Sequence, residues 1–176
     1  LYGLGGQFAS VAQLERRARG LRLIREEMAE LSATGRVSVS LGSLRGDEIV
    51  VSNFVGHVCA PRFECWSGMV LPGHATAMGK VILARMDPRQ RADYLGTHPL
   101  QAFTNQTVTA PWRLEAELSD TGLARSDQQY RYGISCAAVS LVSEGKLAAL
   151  SATFASTRAE ARQLVKPLAQ LQRRPL

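Results

Sequence analysis

No stretch of the 176-residue chain approaches the roughly 18 to 20 uncharged apolar residues needed to cross a bilayer. The opening LYGLGGQFAS also lacks the basic segment and apolar core of a secretory signal. A soluble, cytoplasmic protein without membrane contact is expected. Cysteine is scarce: Cys59, Cys65 and Cys136 form no CxxC pair, and no downstream histidines have the spacing of a tetrahedral zinc site. Reduced thiols are expected, with no metal and no cofactor. Histidine is equally scarce, and HExxH, a nucleophile elbow and a phosphate-cradling glycine loop are all missing. The GLGG at residues 3 to 6 follows no strand, so it does not qualify as a dinucleotide motif. Nothing supplies a nucleophile, a base and a group to orient the base, so the chain reads as a non-enzyme. Internal repeats and low-complexity segments are also missing.

With 45% apolar and 20% charged residues, the chain suits one sizeable core and one domain. It begins with Leu1, which suggests a processed or shortened sequence with something upstream. The net charge of +6 could attract anions, but the arginines of residues 15 to 30 alternate with Glu15, Glu26, Glu27 and Glu30. That is a solvated helix face rather than a nucleic-acid surface.

Val11, Leu14, Ala18, Leu21, Ile24, Met28 and Leu31 recur at spacings of three and four, which predicts a long helix from Phe8 to about Ala33, stopped by Gly35. Val37, Val39 and Leu41 alternate with Ser38, Ser40 and Gly42, as in a half-buried strand. The turn residues 45 to 48 return it as a second strand, Ile49 to Val55, and Phe63 to Val70 could hold a third. Thr76 caps a helix through Arg85, Asp87 and Pro88 start one to Leu95, and Pro111 to Thr121 gives another, stopped by Gly122. Residues 96 to 110 read as a polar loop. Ile134 to Val142 and Leu147 to Phe154 flank a turn, and Thr157 with Glu160 forms a capping box for a terminal helix that Pro167 kinks. The order is α+β, with helices on an antiparallel sheet.

LPGHATAMGKVILA, Leu71 to Ala84, resembles the signature of the effector-binding domain of IclR-type regulators. YLGTHPLQAFTNQTVT, Tyr94 to Thr109, and YGISCAAVSLVSEGKLAALSATFAS, Tyr132 to Ser156, fall where that family has an interhelical loop and a closing hairpin. The opening LGGQFASV resembles the linker after the family's winged helix-turn-helix. The resemblance implies a GAF-like antiparallel sheet flanked by helices, including the long N-terminal helix and the C-terminal helix. It makes residues 1–7 a linker remnant and 8–176 the effector-binding domain, with a DNA-binding domain upstream. It further implies a homodimer or homotetramer that contacts DNA through that absent domain, and a small organic acid as effector.

A helix start near Thr76 offers unpaired N–H groups and the positive dipole end to a carboxylate, with Ala77 and Met78 letting a ligand approach. Relatives supply amide contacts there. On the closing hairpin, Ile134 and Cys136 share one strand face and Ser151 and Thr153 share a face of the partner strand. The resemblance carries effector contacts onto these four positions and onto Phe63 and Asp127. Relatives often have acids where this chain has Ser126, Gln128 and Gln129, which would favour an anionic effector. The plainer readings are that Thr76 only caps, Gly79 only permits tight packing and the hairpin hydroxyls satisfy nearby backbone. His74 would order its loop, while His57 and His98 would be solvated. Two further alternatives stay open. Cys136 could make the domain a GAF-like thiol redox sensor or sulfoxide reductase, although nothing suggests that Cys59 or Cys65 pairs with it. Or the chain is a ligand-free dimerisation module whose pocket is filled by Phe63, Trp66 and Met69.

Overall fold

Apolar residues three and four apart lay the first helix onto a sheet. The computed structural model describes residue 20 and residues 22–118, 122–143, 146–157 and 168. Helix α1 runs over residues 22–35, with Ile24, Met28 and Leu31 buried against the sheet. Most of the earlier part of the predicted helix lies outside the described residues, as do residues 1–7 and Glu160 and Pro167 of the predicted terminal helix; Thr157 is an exposed turn residue, and Leu168 is helical and fully buried. Gly35 is not the left-handed stop. That position falls to Arg36 at φ 53°, and Val37 N–H donates to Ser32 O at 3.2 Å, the six-to-one bond of a Schellman end.

Strands β1 (Ser38–Arg45) and β2 (Glu48–Val55) form the expected hairpin about Gly46, at φ 62°, and Asp47. The sheet has five antiparallel strands in the order β2-β1-β5-β4-β3, completed by β3 (Leu123–Asp127), β4 (Ile134–Ser143) and β5 (Lys146–Ala155). Period-two alternation sorts the side chains. Val39, Leu41, Ala137, Val139, Leu150 and Ala152 face α1, and each larger one is worth roughly 1.5–3 kcal/mol relative to exposure.

The opposite face carries α2 (Ala77–Arg85), with α3 (Pro88–Thr97) and α4 (Pro111–Glu117) following it. Thr76 and Asp87 cap α2 and α3 as expected; α3 runs two residues past Leu95 and α4 stops four short of Thr121. Because α2 lies over it, β1 is buried on both faces instead of one: Ser38 and Ser40 are each only 7% exposed. Residues 63–70 do not form the third strand; only Val70 makes a bridge, to Val50. Conversely, β3 was not anticipated. The α+β expectation holds, and among the described residues no helix is long and apolar enough to cross a membrane.

Candidate ligand-binding site

Small residues create the site. Across four strands, Ser126, Cys136, Thr153 and Ser38 stand in register, and beside them Ala124, Ala138, Ser151 and Ser40 form a second row. Both rows face α2, and none of these side chains is long enough to fill the space beneath the start of that helix. Further along, Met78 closes the gap. A Cβ on Gly42 would stand 2.4 Å from the Met78 sulfur, so glycine at the Leu41/Gly42 bulge admits the methionine.

The start of α2 is built with little slack. Thr76 Oγ1 accepts from Gly79 N–H at 3.1 Å and donates to Pro72 O at 2.9 Å. A Cβ on Gly79 would lie 2.3 Å from Gly73 O, so helix and loop backbones are nearly in contact. Tyr94 Oη accepts from Gly73 N–H at 3.2 Å. His74 is 3% exposed and its Nε2 donates to Gln101 O at 2.9 Å, which assigns the proton because a carbonyl only accepts. Burial lowers its pKa, and the nearby Lys80 charge adds to that, so the ring is neutral at pH 7. His74 therefore orders its loop, as expected. His98 is more than solvated: it stacks on Tyr94 at 4.1 Å, its backbone N–H caps α3, and Nε2 lies 3.4 Å from Glu48. His57 Nδ1 accepts from Cys59 N–H at 3.0 Å.

Between helix start and sheet lies a cavity that opens to solvent. Phe63, Ala77, Met78, Ile134, Cys136, Ser151 and Thr153 all line it. Asp127 does not. It is exposed and accepts a hydrogen bond from Ser135 Oγ, while Ser126, one residue earlier and 4% exposed, takes the inward place and donates to Ala75 O at 2.6 Å. Neighbouring strand residues point to opposite faces, so a one-residue slip in register accounts for this correction. Trp66 is 56% exposed and Met69 packs on the core, so neither fills the cavity; Phe63 lines it at the edge of Tyr130, 6.0 Å between centroids. Tyr130 in turn meets Phe103 at 5.0 Å, and Phe103 stacks on His74 at 5.8 Å.

Lys80 went unnoticed in the sequence. It is fully buried, and its ammonium donates to Glu117 Oε2 at 2.5 Å, to Arg125 O at 3.1 Å and to Gln129 Oε1. Burial lowers the Lys80 pKa; for Glu117, burial acts upward, but the Lys80 ammonium, the Gln129 hydrogen bond and the Arg113 charge together hold the carboxyl below its usual range. The network ties α2 to α4, to β3 and to the turn leading to Tyr130. A signal was available: residues 77 to 83 of α2 are apolar on every side except for this one cation, and a lysine in such a helix needs a buried partner.

A family model described as "Bacterial transcriptional regulator IclR C-terminal" matches residues 19–174. The chain belongs to this family. The Pca operon regulatory protein of Acinetobacter baylyi is 31% identical over 111 residues, 58% of this chain and 40% of that protein. The chain spans less than half the length of the first such relatives. The C-terminal domain of the Escherichia coli transcriptional regulator KdgR superposes with a TM-score of 0.75 at 26% identity, covering 87% of this chain and 93% of that one. An IclR homolog from Microbacterium hydrocarbonoxydans, solved with 4-hydroxybenzoate, gives 0.77 at 26% identity over 86% of this chain and 65% of its own.

Within this IclR domain, the thiols bear on the redox alternative. Cys65, distant in sequence, lines the same cavity as Cys136. Burial pushes Cys136 up to about 11, against the lowering effects of Thr153 and Lys80. Burial, and then the proximity of Cys136, push Cys65 to about 11. Thiols held so high are rarely thiolates at neutral pH, which disfavours redox chemistry. In a Cys59→Ser background, both cavity thiols are expected to react with an aromatic disulfide about tenfold more slowly than free cysteine near neutral pH, accelerating as pH rises toward 11. A faster reaction than free cysteine would restore the redox reading.

Proposed function

We propose that this chain is the effector-sensing part of a transcriptional regulator and is not itself catalytic. A small organic acid places its carboxylate on the free N–H groups of Ala77 and Met78, facing Ser151, Thr153 and Cys136. One observation carries the reading: the buried, 4% exposed Ser151 side chain makes no hydrogen bond among the described residues, and it lines the cavity facing a helix start. A dry wall with a few directed hydroxyls and a helix dipole suits a carboxylate. The relative solved with 4-hydroxybenzoate supports the same ligand chemistry.

DNA contact would belong to a winged helix-turn-helix preceding the linker at residues 1–7, and α1, which lies on the sheet's other face, would be the lever between the two. The acid acts by population shift, moving two arrangements of a homodimer or homotetramer only as far as its affinity for them differs.

Thermal-shift measurement with benzoate, 4-hydroxybenzoate and short-chain carboxylates tests the site. An acid at about a hundredfold its Kd is expected to stabilise by about 2.7 kcal/mol, raising Tm by roughly 5–10 °C. Ser151→Ala should weaken it about tenfold. A hit unaffected by that change removes Ser151 from the site.

A further inference from the structure

The wall of the cavity is electrically one-sided. Among the described residues no aspartate or glutamate lines it, and Arg131 is its one charged side chain. Nearby acids are committed or turned away: Asp127 is exposed and bound to Ser135, Glu117 is held by Lys80, and Glu64, between two lining residues, is exposed. Arg131 itself is exposed, so it stands where the cavity meets solvent, and it has no acidic partner among the described residues.

Its backbone is held firmly. Gln128 takes a left-handed φ of 53°, its side chain accepts from Gly133 N–H at 2.9 Å, and its backbone N–H donates to Ile134 O at 2.9 Å. From below, Thr104 Oγ1 donates to Gln128 O at 2.7 Å and Thr107 Oγ1 to Gln129 O at 2.5 Å. A guanidinium on so rigid a turn loses little backbone freedom when it binds, and its planar fork matches a carboxylate. Deep in the same cavity is the other anion seat, where Ser151 faces the N–H groups at the start of α2. Ile134, Met78, Phe63 and Tyr130 supply apolar wall to the same cavity.

We propose that Arg131 determines the ligand class: a dianion with two carboxylates held apart by an apolar, aromatic-sized body, one acid on the α2 start and the other on Arg131. This inference rests on the acid site proposed above and adds a second anchor to it. Because Arg131 is exposed, a monoacid leaves it hydrated without penalty, so the expected preference is moderate and salt-sensitive.

The probes are benzoate and the 1,2-, 1,3- and 1,4-benzenedicarboxylates, titrated into wild type, Arg131→Gln, Arg131→Lys and Ser151→Ala. At least one diacid is expected to bind wild type about tenfold tighter than benzoate, as one charge-assisted contact allows. Arg131→Gln should abolish that preference, bringing the diacids to the affinity of benzoate for the same variant, while Arg131→Lys keeps part of it. Diacids no tighter than benzoate, or a preference that survives Arg131→Gln, would overturn the assignment of Arg131. If Ser151→Ala still weakens all four probes in that case, the acid site stands alone. Binding indifferent to Ser151→Ala, or no binding of any probe, overturns the acid site and this inference together.

Discussion

Lys80→Ala is expected to cost roughly 3–5 kcal/mol, because it removes one partner of a buried charged network and leaves the others unpaired. Glu117 can rehydrate in part, its side chain being 34% exposed, but the 8% exposed Gln129 has little access to water. The double variant Lys80→Met with Glu117→Gln keeps volume and removes both charges, so its expected loss is only about 1–2 kcal/mol from the orphaned carbonyl and amide. Urea unfolding of both proteins decides the matter; equal losses would mean that the lost hydrogen bonds to Arg125 O and Gln129, rather than an unpaired charge or a lost volume, dominate at this position. Acid gives an independent readout. The folded Glu117 pKa lies below its unfolded value of 4.5, so its contribution is present above that pH and fades as pH falls through the folded value. Glu117→Gln should therefore show a shallower loss of Tm on acidification below about 4.5 than wild type.

What could be read from the residues was local. The Gly46–Asp47 turn between alternating strands, the Thr76 cap, the Asp87 and Pro88 pair and the closing hairpin each depend on chemistry within a few positions, and each formed where expected. Tertiary partners were less legible. Ser38 and Ser40 look like a solvent face until α2 covers them, and LARSD is too short and too charged to suggest the edge strand β3. The inward residue of β3 depends on its register with β4, where Ser126 pairs with Cys136 and Asp127 with Ser135. Two-residue periodicity paired Ile134 with Cys136 and Ser151 with Thr153 on shared faces, while the placement of effector contacts on those faces was what the family resemblance implied. The Lys80 network could not be located that way, since Glu117, Arg125 and Gln129 come from three separate segments.

Gly79→Ala sets two physical effects against each other. Helix propensity alone would make alanine inside α2 stabilising by about 1 kcal/mol. Packing predicts the reverse: the added methyl would sit 2.3 Å from Gly73 O, 2.4 Å from Gly73 Cα and 2.7 Å from Gly73 C. Those are backbone atoms of a loop fixed by Tyr94 Oη, by His74 on Gln101 and by Thr76 on Pro72, so no side chain can swing aside to relieve the clash. Overpacking against backbone is placed at about 3 kcal/mol, a fall in Tm of roughly 6–12 °C. Displacing the loop also moves Ala75 and Thr76, so carboxylate binding should weaken together with stability. Thr76→Ala is the control, losing one cap bond at about 1 kcal/mol without the clash. A Gly79→Ala protein as stable as wild type would show that the α2 start and the 72–75 loop are not in close contact, and the amide seat for the effector would lose its rigidity with it.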